Sequence, residues 1–280
     1  MKHVPKGKIR NTFLYILLTL YSIVCIYPLI WMIFYSFKNN TEIFVTNPFG
    51  IPTVFRVENY IRVWNKFNVL QYFSNSAVVT VATVIFTILL ALMFAYATAR
   101  MEWKLSSAAR IYITSGMFIP VQIILIPLVI LARNLHFSNS LLSLIIPYTA
   151  FQLSFASLVF YAFFRSIPFE IEESATIDGA NVYTVFFRIM IPLVKPAVAT
   201  VLIFIFLFAW NEFMMALILI SDNALRTLPL GLVNFQGQFQ TDWGAMGAMM
   251  TIISMPTLVV YLFFSEHVEK ALTVGSAVKG

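Results

Sequence analysis

The sequence predicts an all-α, polytopic membrane protein with six transmembrane helices and both termini on the inside. Three observations predict it. Of 280 residues, 60% are apolar or aromatic and only 11% are charged, whereas an ordinary soluble domain is about 45–50% apolar and about 25% charged. Six stretches are apolar over the roughly 20 residues that a helix needs to cross the hydrocarbon core. Lys and Arg gather in alternate connecting segments. A globular domain of this length could not bury so much apolar surface, so the composition excludes a soluble enzyme, a disordered chain and a nucleic-acid binder. The net charge of +6 needs no nucleic-acid partner, because bilayer proteins accumulate basic residues on their inner side.

The elements follow in order. Residues 1–11 form a basic inner tail (Lys2, Lys6, Lys8, Arg10), and 12–37 the first span. This run of about 25 residues is too long for a signal-peptide core and has no small-x-small cleavage site. Cys25 lies within it without an intrachain partner, which excludes a disulfide-stapled fold. An external loop, 38–71, precedes a core over 72–266, with further spans at 76–99, 111–132, 141–164, 197–220 and 244–265, and an inner tail at 267–280. Backbone polar groups must be satisfied internally in lipid, and ten-residue alternating strands are absent, so the spans are helices. With the N-terminus inside, the inner segments hold Lys2, Lys6, Lys8, Arg10, Arg100, Lys104, Arg110, Arg165, Arg188, Lys195, Lys270 and Lys279. The outer ones hold Lys38, Arg56, Arg62, Lys66, Arg133 and Arg226. That asymmetry sets the orientation.

Ionisable residues inside a bilayer are costly and usually functional. Glu212, within Trp210-Asn211-Glu212-Phe213, is the one carboxylate well inside an expected span, and Gln122 and Gln152 are the notable amides. Glu212 either lines a translocation path or lies near the outer end of its helix and pairs with another subunit. A self-contained secondary carrier, the competing class, needs several such groups or broken helices at a midplane site. No G-x-S-x-G, H-E-x-x-H or P-loop pattern occurs, so no catalytic residues and no ATP site of its own are expected. His3, His136 and His267 are too scattered for a metal site. The stripe Met246, Met249 and Met250 reads as helix packing rather than a cofactor box.

The loop 166–196 is the most informative. Pro168 suits the first turn of a helix, with Ser166 available as its cap. Glu170, Glu172 and Glu173 then fall where the helix dipole favours acids. Ala175, Gly179 and Ala180 make the stretch slim, Gly179 permits a sharp turn, and Pro192 and Pro196 set the entry to the fifth span. The segment reads as a short acidic helix projecting from the membrane, either a simple connector or a docking element.

Its spacing resembles the E-A-A-x3-G-x9-I-x-L-P motif of ABC importer permeases: Glu173-Ser174-Ala175, Gly179, Ile189, Ile191, Pro192, with Ser174 and Ile191 as mild departures. Asp178, Trp210-Asn211-Glu212-Phe213, Thr241-Asp242-Trp243-Gly244, Phe73-x-Asn75-Ser76, Asn139 and the terminal Ala277-Val278-Lys279-Gly280 are similar to the carbohydrate-importing, MalG-like subgroup. Glycerol-phosphate importers are close relatives. The resemblance implies a type I ABC importer permease fold in the cytoplasmic membrane, importing a di- or oligosaccharide. It implies a second, MalF-like permease subunit, an ABC ATPase dimer that carries ATP and Mg, and an extracellular or periplasmic solute-binding protein, with no cofactor bound by this chain. Residues Glu170, Glu172, Glu173, Ala175, Asp178, Gly179, Ile189 and Pro192 would form the coupling loop, with Glu173 pairing with a basic residue of the ATPase. A polar outer loop with Asn234, Gln236, Gly237 and Gln238 would meet the binding protein, and Val278, Lys279 and Gly280 the ATPase. Gln122, Gln152, Trp210, Asn211 and Glu212 are the candidates for the sugar path.

Overall fold

A computed structural model describes residues 6–235 and 241–277, and among these it contains helices and turns but no strand. The chain forms two compact units, one of residues 1–68 and 232–254, the other of 69–231 and 255–280.

In the first unit α1 (Lys6–Ser36) is long and apolar. Every residue from Asn11 to Ile30 is exposed, so the helix is apolar all round and suited to lipid rather than water. Its end is held by α2 (Glu58–Lys66), where buried Asn59 donates to the carbonyls of Ser36 at 2.7 Å and Lys38 at 2.9 Å. The start of α12 (Trp243–Ala277) packs here as well. Gly244 lies against the Lys38 carbonyl and Gly247 against the Tyr35 ring, where any Cβ would collide. Between α1 and α2, Lys38 is fully buried and donates to the carbonyls of Asn47 (2.6 Å) and Gly50 (2.7 Å). Burial lowers its pKa, which the nearby Glu42 charge partly offsets. Desolvation pushes the Glu42 carboxyl up. The backbone N–H and hydroxyl of Thr53, the Asn47 amide and the Lys38 charge more than offset this, so it lies below its ordinary value.

The second unit is built on α3 (Val69–Arg100) and α6 (Leu142–Ser166). Ala91, Ala95 and Ala99 repeat every fourth residue along one face of α3. They are buried with Ala156, Phe160 and Phe164 of α6 and with Ala197, Val201 and Ile205 of α10 (Lys195–Asn211). Small residues let helices approach closely where lipid gives no hydrophobic drive to associate. The two long helices run in the same direction, because the guanidinium of Arg100, at the end of α3, reaches the carbonyls of Phe164 and Ile167 at the end of α6. At their starts, Asn75 donates to the carbonyls of Ala224 and Arg226, and Asn139 accepts from the backbone N–H groups of Ser221 and Asp222.

The segment between α3 and α6 must therefore carry the chain back. It does so as a bent pair, α4 (Ser106–Ser115) with a 3-10 turn (Gly116–Phe118), then α5 (Val121–Asn134), at 106°. The single straight span expected over 111–132 is thus broken. Pro120 has no N–H to continue the ladder and drives Ile119 into the extended region, at φ −90° and ψ 111°. The fifth span also differs from 197–220. Helix α10 follows α8 (Val182–Thr184), a π turn (Val185–Met190) and α9 (Ile191–Leu193), with a bend of 73° before it, and it ends at Asn211. A separate short helix, α11 (Met214–Leu219), begins after Glu212 and Phe213. Among the described residues four helices are long and apolar enough to cross a membrane, and the two bent pairs raise the number to six if each counts once.

Candidate functional site

After α6 the chain turns at once into α7 (Glu170–Ile177), which carries Glu170, Glu172 and Glu173 in its first turn. Acids there complement the positive end of the helix dipole. Ser166 does not cap it, contrary to expectation. Ser166 is the last residue of α6, and its hydroxyl donates backwards to the Phe163 carbonyl at 2.8 Å. The residue before α7 is Phe169, which makes no side-chain cap.

The far end of α7 is closed by glycine. Gly179 has φ +86° with open space where a Cβ would stand. Its N–H meets the Thr176 carbonyl at 3.0 Å, and the Ala180 N–H meets that of Ala175 at 2.9 Å. This pair of bonds, with the left-handed residue one past the cap, is the Schellman arrangement. It reverses the chain within two residues, and Asn181 then caps the next turn by accepting from the Thr184 N–H at 2.9 Å. The hydroxyls of Ser174 and Thr176 fold back onto carbonyls of their own helix.

The acids of α7 divide into two sets. Glu170, Glu173 and Asp178 are exposed. Glu172 turns inward, where Oε1 accepts from Arg100 Nε and Oε2 from the Tyr96 hydroxyl at 2.9 Å. Glu172, expected among the coupling acids, thus has two partners within its own chain. Arg100 has a fully buried side chain. It also donates to the carbonyls of Phe164 (3.2 Å), Ile167 (2.9 Å) and Pro168 (3.2 Å), and its guanidinium lies 3.8 Å from the Phe169 ring centroid. Of the other residues expected in a coupling loop, Ala175 and Ile189 are half-buried and Pro192 is exposed. Arg100 and Tyr96 were missed as site residues. Arg100 counted only as an inner positive charge, and the signal that could have found them is their spacing of one helical turn, opposite an acid.

Glu212 stands in the break between α10 and α11. Its carboxylate accepts from the N–H groups of Met215 (2.8 Å) and Ala216 (3.2 Å) and from the hydroxyl of buried Tyr148 at 2.5 Å. It caps a helix rather than sitting in the middle of one, and its partners come from the same chain. Trp210 is buried, packed against Phe73 and Phe206. Asn211 donates to the Leu207 carbonyl at 2.8 Å. A cavity of about 340 Å3 opens at the break between α4 and α5, lined by residues such as Tyr112, Ser115, Gly116, Phe151 and Ser154. Neither exposed Gln122 nor half-buried Gln152 lines it. Asn234 is half-buried in a 3-10 turn, whereas Gln236, Gly237, Gln238, Val278, Lys279 and Gly280 lie outside the described residues.

Long apolar helices and apolar helix pairs broken by sharp bends define a multi-pass integral membrane protein, with a short, exposed acidic helix directly after α6. Residues 87–274 match the family described as binding-protein-dependent transport system inner membrane component, and the chain belongs to that family. It is 35% identical to a probable ABC transporter permease protein, YurM, of Bacillus subtilis, over 100% of this chain and 93% of the relative. It is 34% identical to the diacetylchitobiose uptake system permease protein NgcG of Streptomyces coelicolor, over 93% of this chain and 86% of that one. Its fold is that of a solved bacterial ABC transporter involved in the import of the acidic polysaccharide alginate. The TM-score is 0.80 at 20% identity, over 95% of this chain and 99% of that chain.

Proposed function

We propose that this chain is a permease subunit of a carbohydrate ABC importer in the cytoplasmic membrane, driven by ATP hydrolysis on a separate ATPase. The observation that carries the reading is α7. Its acids Glu170, Glu173 and Asp178 face solvent, and its two ends are fixed, one by Arg100 and the other by the Gly179 turn. An exposed acidic helix held rigidly at a helix end can accept charge-assisted bonds from a basic cleft and pass a rigid-body motion to the spans. On this reading the termini and α7 lie inside, six spans cross the membrane, and Glu173 pairs with a cation of the ATPase. ATP and Mg stay on that partner, and a MalF-like permease completes the pathway.

Substrate delivery would come from a solute-binding protein, in keeping with the family's description, through the polar loop with Asn234 and residues 236–238. The residues 278–280 would touch the ATPase. The carbohydrate assignment is supported by the relative named for diacetylchitobiose uptake. The carrier reading gains the broken helices it needs, but not the free charge, because Glu212 is occupied by Tyr148 and two backbone donors.

Glu173→Ala tests the reading. The variant inserts normally, while ATPase recovered with the permease and stimulated hydrolysis fall on the order of tenfold, as expected for loss of one partner of an interfacial charge pair. Unchanged recovery and hydrolysis would sink the assignment.

A further inference from the structure

The linker between α6 and α7 consists of Ile167, Pro168 and Phe169, and one side chain from another helix occupies all of it. Arg100 binds the carbonyls of Ile167 and Pro168 and covers the ring of Phe169. The same guanidinium takes the Phe164 carbonyl of α6 and the Glu172 carboxylate of α7. Tyr96, one turn earlier on α3, holds the second Glu172 oxygen at 2.9 Å. The planar fork of arginine suits such divided recognition, which a lysine ammonium could not reproduce. On the other side of α7 the chain is held by apolar packing, with Val185, Phe186 and Met190 buried. Such packing is non-directional, whereas a charge-assisted hydrogen bond, backed by further bonds from the same guanidinium, fixes both distance and angle.

We infer that Arg100 is a positioning residue that joins α7 to α3 and α6, so that a displacement of the docking helix moves these two spans with it. The inference rests on the reading of α7 as the ATPase-docking helix. Neutralising a stray carboxylate or capping α6 would each need only part of the network. The full set of bonds, spread over three elements and a linker, is what a joint requires. Coupling is reciprocal at the level of binding free energy, so a signal arriving at the opposite ends of α3 and α6 passes through the same joint to the ATPase.

The test uses the whole complex, reconstituted with its ATPase, its partner permease and the binding protein loaded with whichever member of a sugar panel it binds. Three variants are compared with wild type: Arg100→Met, Glu172→Gln and Tyr96→Phe. The ATPase is expected to stay bound in each variant that inserts, because the exposed Glu173 is untouched, and stimulation is read relative to each variant's own basal rate. Stimulation of hydrolysis by the loaded binding protein falls at least about fivefold in Arg100→Met and Glu172→Gln, and less in Tyr96→Phe, which loses one hydrogen bond. Arg100→Lys falls between wild type and Arg100→Met. A structural role alone would lower assembly and basal rate together with stimulation. Stimulation that survives in every assembled variant overturns the inference. So does loss of the ATPase from a normally inserted Glu172→Gln, which would make Glu172 a docking residue. Tyr96→Phe, which removes a single hydroxyl, keeps the test decisive if the other two fail to insert. Absence of stimulation in wild type is a different result, and it defeats the proposed function itself.

Discussion

Glu172 and Glu212 are both partly withdrawn from solvent in the second unit, and they are held in opposite ways. Glu172 faces a buried arginine and a tyrosine hydroxyl, and its bonds tie α7 to α3. Glu212 faces only neutral donors, the Tyr148 hydroxyl and two backbone N–H groups at the start of α11. The first arrangement balances charge with charge and links separate elements. The second balances charge with dipoles, sealing the break before α11 and joining it to α6 through Tyr148. The difference teaches that the joint at α7 is held by a buried counter-charge, whereas neutral donors suffice at the break before α11.

Removing each carboxylate separates the two cases. Glu172→Ala leaves the Arg100 guanidinium buried without its counter-charge, and stranding one partner of a buried pair costs about 3–5 kcal/mol. Glu212→Ala leaves neutral donors unpaired, at about 1–3 kcal/mol. Thermal unfolding of the detergent-purified protein should therefore show the larger loss for Glu172→Ala. An equal or larger loss for Glu212→Ala would break the comparison, and would mean that neutral donors hold a carboxylate as firmly as a buried arginine does.

A smaller change sharpens the account of α7. Gly179 is left-handed with nothing near its missing Cβ, so Gly179→Ala meets no clash and bears only the conformational cost, about 1–2 kcal/mol. Gly179→Asn should cost less, because asparagine visits that region more readily. The same unfolding assay checks both. If alanine and asparagine behave alike, the turn does not depend on φ, and the helix end is held by its neighbours.

The sequence showed the spans by hydropathy and α7 by its acids, proline and glycine, because those signals are local. It did not show the breaks at Ile119–Pro120 and at Glu212. A hydropathy window averages over a break whose residues are still apolar, and a capping glutamate looks the same as one mid-helix until its partners are placed. The Arg100–Glu172 pair is 72 residues apart, and nothing local in either residue names the other. The resemblance to a permease motif singled out Glu173 by position. The structure adds why its neighbour differs: on α7, one helical step decides whether an acid meets solvent or Arg100.

A third buried carboxylate extends the comparison to the first unit and gives the smallest effect. Glu42 combines both modes, taking the Thr53 N–H at 2.7 Å and its hydroxyl at 3.1 Å while lying near the buried Lys38. Its pKa is depressed in the folded state, so the folded loop favours the ionised form. The resulting stability is fully present above the ordinary carboxylate value of about 4.3 and is lost as pH falls through the lower folded value. Lys38 acts in the opposite range. Burial lowers its pKa, so holding it charged costs stability at neutral pH, and that cost eases only as pH rises towards the ordinary lysine value. Limited proteolysis of the 38–57 segment should find constant protection from about pH 8 to pH 5 and opening only below about pH 4. The helices stay intact, because the Glu42 contacts lie within this loop. Opening already near pH 6 would point to an imidazole instead. Protection that persists well below the carboxylate range would show that the loop does not depend on the Glu42 charge.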